Sequence, residues 1–245
     1  MPKQNILVLH DDERWTEYLV EVFEDTRSEP RICKTAEELI PLMRKGRPDV
    51  VFANAKHLSQ PLLASLATER NSNACFRAFH LGDVPKACPS HLFDDSFRNI
   101  PTLSEFHKRL AQHLPLKSPV RILVVDDEPS IGEAFKEYFG HRTNPVFEVE
   151  TVTNGLEGQK KIEQNPPDVL ILDIKMPEKD GRELYRDLKK RNILPPTIIF
   201  FDIVSSEEVL EIRRQGGHPS FVEKGSFSSS MPEMAALIKK IAYFG

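Results

Sequence analysis

The chain has 245 residues, of which 29% are charged and 40% hydrophobic, ordinary values for a folded globular protein of one or two domains. Net charge is −4, and neither half is basic: residues before Ser118 carry 16 Lys and Arg against 16 acids, and those after it 17 against 21. This excludes the basic footprint of a nucleic-acid binder. No apolar run approaches the roughly 18 residues of a membrane helix, and "MPKQNILVLH" lacks the apolar core and cleavage site of a secretory leader. Three cysteines, Cys33, Cys75 and Cys88, read as reduced thiols of a cytoplasmic protein.

In chain order, short apolar runs predict strands at Ile6–Leu9, Arg31–Lys34, Asp49–Ala53, Phe76–Leu81 and Ser90–Phe93. Only the short stretch "GDVPKACP" separates the last two, too little for more than a single helical turn. The stretch "LPLKSPV", with Pro115 and Pro119, reads as a linker. Beyond it, strands are predicted at Arg121–Val125, Phe147–Thr151, Asp168–Leu172, Thr197–Phe201 and Phe221–Glu223. Helices are predicted at Ile131–Phe139, Gly155–Gln164, Gly181–Arg191, Ser206–Arg214 and Pro232–Ala242. Ser206 is the expected cap of the fourth helix, ahead of Glu207 and Glu208. Strands that are continuously apolar and alternate with helices indicate a parallel sheet covered on both faces.

The two halves repeat one another. "NILVLHDDER" matches "RILVVDDEPS", and "RPDVVFAN" matches "PPDVLILD", placing Asp49 over Asp168 and Asn54 over Asp173. The reading is a duplicated domain: 1–116, a linker at 117–118, and 119–245, each a flavodoxin-like, doubly wound α/β domain with a five-stranded parallel sheet.

In such a sheet, ligands bind beyond the carboxyl ends of the strands. Asp126 and Asp127 follow the first strand of the second domain, Asp173 the third and Lys224 the fifth. Like charges about 4 Å apart repel by roughly 4 kcal/mol at an effective dielectric near 20, so three converging carboxylates call for a cation. Hard oxygen donors suit Mg²⁺, with Mn²⁺ an alternative. Acids following a strand are individually common in wet loops; it is the combination at separate strand ends of one edge that reads as a site.

"ILVVDDEPS", "PPDVLILDIKMPEKDGRELYRDLKK" and "FVEKGSF" together resemble the receiver domain of two-component response regulators. The resemblance covers nearly all of 119–245 and, more weakly, 1–116. It implies a sheet order 2-1-3-4-5 and a phosphoryl acceptor at Asp173. It also implies Mg²⁺ held by Asp126, Asp127, Asp173 and the backbone carbonyl of Lys175, with Lys224 contacting the phosphoryl group. The implied partner is a sensor histidine kinase or a histidine phosphotransfer protein. The implied chemistry is in-line attack of a carboxylate on phosphohistidine, without catalysis beyond self-phosphorylation and slow self-dephosphorylation.

Two departures stand out. Members of this family usually end their fourth strand with Thr or Ser, where this chain has Phe201, and Ser205 and Ser206 are the nearby hydroxyls; Phe221 takes the position of the aromatic residue that moves in the usual switch. In the first copy Asn54 replaces the acceptor, and an ungapped match places His10 over Asp126, whereas a one-residue gap would restore Asp11 and Asp12 as the pair. Asp94 or Asp95 of "LFDDSF" stands where the lysine is expected, and His10, Asn54 and His80 are candidates for a remodelled pocket. "CFRAFHLGDVPKACPSH" has a superficial metal-site look, but Cys75 and His80 fall too far apart along one strand to share an ion. The first copy therefore reads as a pseudo-receiver. The leading expectation is a tandem-receiver regulator acting through protein contacts, a homodimer, a downstream effector or onward phosphotransfer. The alternatives are the regulatory part of a longer enzyme or transcription factor, and a phosphorylation-independent scaffold.

Overall fold

The computed structural model describes residues 3–83, 88–202, 205–224 and 227–245, the side chains of 227–230 aside. The chain divides into two compact units between Pro115 and Leu116. In the first, strands β1 (Ile6–Leu9), β2 (Pro30–Cys33), β3 (Val50–Asn54), β4 (Arg77–Leu81) and β5 (Asp95–Phe97) alternate with helices α1 (Glu13–Phe23), α2 (Ala36–Gly46) and α3 (Gln60–Ser72), and α4 (Leu103–Leu110) follows β5. In the second, β6 (Val120–Val125), β7 (Phe147–Val152), β8 (Val169–Leu172), β9 (Thr197–Phe201) and β10 (Ser220–Glu223) alternate with α5 (Pro129–Gly140), α6 (Gly155–Gln164), α7 (Gly181–Lys190) and α8 (Ser206–Arg214), and α9 (Phe227–Phe244) follows. Both sheets are parallel. Their orders, β2-β1-β3-β4-β5 and β10-β9-β8-β6-β7, are one order read from opposite edges.

The continuous apolar runs are strands with both faces covered. In β6, Ile122 and Val124 join a core with Phe135 and Phe139 of α5 and Ile238 and Ile241 of α9. Their neighbours Leu123 and Val125 face the other way, onto Ile162 of α6, Leu184 and Leu188 of α7 and Ile212 of α8. Alternate residues of one strand thus serve two helical layers. Asn154 and Asp180 cap α6 and α7 by accepting from Glu157 N and Glu183 N.

The structure corrects three expectations. Ser90–Leu92 is a 3-10 turn, and the fifth strand of the first unit is Asp95–Phe97. Its start is pinned by Asp94, whose carboxylate accepts from Ala78 N at 2.8 Å and pairs with Arg70 at 2.6 Å; paired aspartates read as loop in the sequence, yet here they fasten an edge strand. The connection from β4 to β5 therefore runs from Gly82 to Asp94, of which 84–87 lie outside the described residues. Ser205, not Ser206, caps α8: its hydroxyl accepts from Glu208 N at 3.2 Å, while Glu208 Oε2 accepts from Ser205 N at 2.8 Å, a reciprocal capping box.

The repeated Asp of "RPDVV" and "PPDVL" has a structural role in both units. Asp49 Oδ2 accepts from Asn5 N at 2.8 Å and Asp168 Oδ2 accepts from Arg121 N at 2.9 Å. In return Asp49 N donates to Asn5 O and Asp168 N to Arg121 O. Each aspartate clamps the entry of the first strand to that of the third, and Asp168 also pairs with Lys117 at 2.7 Å. Asp168→Ala is expected to lower unfolding free energy by about 1–2 kcal/mol, read as a shift of the urea midpoint at unchanged slope.

Candidate functional site

Val125 pairs with Leu172, so the residues one step beyond, Asp126 and Asp173, emerge side by side at the carboxyl edge of the second sheet. Lys224 emerges after β10. Carboxylate oxygens of Asp126, Asp127 and Asp173 lie within 4.8 Å of one another, the one such group of metal-ligating side chains among the described residues. Asp126 is 4% exposed, Asp173 5% and Lys224 7%, whereas Asp127 is open to solvent. Lys224 Nζ stands 2.9 Å from Asp126 Oδ2, 3.5 Å from Asp173 Oδ1 and 3.5 Å from Glu128 Oε1. Backbone donors hold the two buried acids in place: Glu128 N donates to Asp126 Oδ1 at 3.0 Å and Ile174 N to Asp173 Oδ1 at 2.9 Å.

One lysine does not balance this much negative charge. Burial pushes the Asp173 carboxyl up to about 6; the Lys224 ammonium opposes the shift and the Asp126 charge adds to it. Asp126 is also raised, again chiefly by burial. Burial works against the Lys224 charge, but Asp126, Asp173 and Glu128 outweigh it and leave its proton more tightly held. Asp126 Oδ2 is buried and receives no hydrogen bond of good geometry, only the ion pair with Lys224. A buried acceptor with spare lone pairs beside two more carboxylates is a donor set that fits a hard divalent cation.

The loop after Asp173 is held by contact. Ile174 and Met176 are buried, while Lys175 between them and Pro177 after them are exposed. Gly181 opens α7 against the backbone of Asp173: its N donates to Ile174 O at 2.9 Å, and a Cβ there would lie 1.9 Å from Asp173 O. Glycine is required here by close approach of backbone to backbone.

Residues 122–236 match the profile of the response regulator receiver domain. The second domain is a response regulator receiver domain. Among relatives, the transcriptional regulatory protein TrcR of Mycobacterium tuberculosis is 36% identical over 81 residues, 33% of this chain and 30% of its own length. The protein-glutamate methylesterase/protein-glutamine glutaminase 2 of Koribacter versatilis is 33% identical over 115 residues, 46% of this chain and 31% of its own length. The chain thus spans less than a third of either relative. A solved receiver domain, that of the Francisella response regulator 1452, is 27% identical with a TM-score of 0.43, covering 49% of this chain and 96% of that one.

Phe201 closes β9, half-buried, with its ring edge-on to Phe221 at 6.5 Å. Arg213 lies over the Phe221 ring at 5.4 Å. Ser205 is engaged as the helix cap just described.

In the first domain, pairing settles the register. Leu9 pairs with Ala53 as Val125 pairs with Leu172, so His10 occupies the place of Asp126, and Asn54 that of Asp173. The ungapped match is therefore the right one. Following the pairs outward, Ala53–His80–Ser96 parallels Leu172–Ile199–Phe221. Asn99, three residues past Ser96, stands where Lys224 stands three past Phe221; Asp94 and Asp95 do not, and they pair instead with Arg70 and Arg109. His10 is 3% exposed; its Nδ1 accepts from Asp12 N at 3.0 Å, and its Nε2 meets the Asn54 amide at 2.8 Å. Asp11 is drawn to Lys56 at 3.0 Å and His57 at 3.2 Å, which hold its carboxyl at about 2. His80 is 1% exposed, its ring edge-on to Phe93 at 5.4 Å; burial lowers its pKa and the Gly82 backbone opposes that shift.

Three participants carry no role in the sequence reading: Glu128, which follows the acid pair directly in "DDEP", and Lys56 and His57, which give no motif to read.

Two predictions follow from the receiver site. Because folding raises the Asp173 carboxyl to about 6, its ionised form is disfavoured in the folded state; folded stability rises as pH falls through about 6 toward the unfolded value. In metal-free protein Asp173→Asn should therefore stabilise the domain by on the order of 1–3 kcal/mol above pH 6. That gain should vanish near the unfolded carboxyl value, as read by thermal melts across pH. Gly181→Ala should displace the Asp173 backbone and lower the melting temperature by several degrees, about 4 °C or more, with divalent-cation binding weakened in calorimetry.

Proposed function

We propose that Asp173 accepts a phosphoryl group from a phosphohistidine of a sensor kinase or phosphotransfer protein. The observation that carries this reading is the convergence of Asp126, Asp127 and Asp173 within 4.8 Å, with Lys224 Nζ 3.5 Å from Asp173 Oδ1. Asp126, Asp127 and Asp173, with the carbonyl of Lys175, would hold Mg²⁺ or Mn²⁺, and the ion would neutralise charge on the transferring phosphoryl oxygens. Asp173 presents one oxygen for attack while Ile174 N fixes the other. Lys224 supplies a point charge to the incoming phosphoryl group.

The first domain is read as a receiver that has lost this chemistry. An Asn54 amide is no nucleophile, His10 and Asn99 replace an acid and the lysine, and Asp11 is already paired with Lys56. Its role is then docking or dimerisation, and output runs through protein contacts or onward phosphotransfer rather than catalysis by the chain itself. No described helix is long and apolar enough to cross a membrane, and a cytoplasmic setting suits a kinase partner.

A second reading is favoured by the relatives' names, a transcriptional regulator and a methylesterase: the receiver serves as the regulatory part of a longer effector. Phe201, which cannot donate the usual hydroxyl bond, motivates the third, a scaffold indifferent to phosphorylation.

Intact-mass spectrometry after incubation with a small phosphodonor and Mg²⁺ tests the assignment. One phosphoryl group is expected on wild type and none on Asp173→Asn, with Lys224→Ala slowed by at least about tenfold. A second group, or one surviving in Asp173→Asn, would sink the division of labour between the domains.

A further inference from the structure

We infer that Glu128 is a specificity-determining residue that favours P–N phosphodonors over dianionic acyl phosphates at Asp173. This rests on the reading of Asp173 as the acceptor. Glu128 is an acid at this edge outside the converging trio, and the one of them paired with Lys224. It stands at the N-cap of α5, yet its carboxylate makes no capping bond to that helix. The side chain instead lies 3.5 Å from Lys224, while its backbone N is tied to Asp126 Oδ1. Lys224 Nζ is 3.5 Å from Glu128 Oε1 and 3.5 Å from Asp173 Oδ1, so those two oxygens lie no more than 7.0 Å apart, the sum of the two distances.

The charge balance gives this placement a consequence. Among the trio and the groups paired with Lys224, the four acids Asp126, Asp127, Asp173 and Glu128 outnumber the lysine by three charges, and a divalent cation would leave one negative charge over. That remainder is the charge of Glu128. With Glu128 neutral, the loaded site would be neutral before the donor arrives. An acyl phosphate arrives as a dianion; phosphoramidate and an N-protonated phosphohistidine carry a positive nitrogen beside the phosphoryl group and a smaller net charge. Across about 7 Å, at dielectrics between about 40 and 80, one additional negative charge on the donor costs about three- to sevenfold in rate.

The transfer balances for both donors. An Asp173 oxygen bonds to phosphorus as the P–N bond breaks, its electron pair going to nitrogen, which leaves as ammonia or neutral imidazole. With an acyl donor the P–O bond breaks and a carboxylate leaves. Release of Lys224 from Glu128 would act on both donors alike and cancels in the ratio of their rates.

The test is the second-order rate of phosphorylation of the full chain in Mg²⁺, near neutral pH, by acetyl phosphate and by phosphoramidate. Glu128→Gln is expected to raise the acetyl phosphate to phosphoramidate ratio about three- to sevenfold, an effect that shrinks toward about 1 M salt. Glu128→Asp, which keeps the charge, should stay near wild type. An unchanged ratio in Glu128→Gln, or an equal shift in Glu128→Asp, overturns the inference while leaving Asp173 as acceptor. Wild type that takes no phosphoryl group from either donor overturns the acceptor reading and this inference with it.

Discussion

The carboxyl edge of the second sheet is organised around an ammonium group that is outnumbered. Lys224 is buried between Asp126 and Asp173 and cannot satisfy both at close range: one lies at 2.9 Å, the other at 3.5 Å. Two acids buried at the ends of adjacent parallel strands are unfavourable in the resting protein, and the backbone donors of Glu128 and Ile174 offset only part of that cost. The fold holds them together because strand pairing fixes Val125 beside Leu172 and leaves the next residues no other exit. The site is thus poised by the sheet in advance of any ligand, with its charges already fixed in place.

Much of this was legible in the sequence because a parallel sheet writes itself as apolar runs, and because the residue after such a run must appear at the edge. β9, α6 and α8 fall on the predicted residues, and the site residues emerge from the ends of β6, β8 and β10. Where reading failed, the causes were local. Asp94 and Asp95 carry the composition of a loop, and the arginines that fasten them at the start of β5 lie at positions 70 and 109, well apart in sequence. Ser205 and Ser206 are indistinguishable as caps until the direction of the helix is fixed. The register of His10 against Asp126 turned on strand pairing, which a duplicated sequence suggests without deciding.

The two domains show what can be altered at such an edge. In the first, a neutral His10–Asn54 contact replaces two buried carboxylates, and the remaining acid is matched by Lys56 and His57 from the turn after β3. His10 Nδ1 even accepts the backbone N–H two residues on, as Asp126 Oδ1 does in the receiver. The geometry of the turn has been preserved by a different atom while the charge has gone.

That substitution was possible because the sheet is anchored elsewhere. Asp49 and Asp168 each lock the start of the third strand to the start of the first, at the end remote from the ligand edge. Strand register is set there before the chain reaches its functional end. The duplicated fold therefore separates what must be inherited from what is free to drift: one conserved-in-place clamp per copy keeps every side chain on its proper face, and the opposite rim becomes an evolutionary margin on which one copy could keep its acids and the other exchange them.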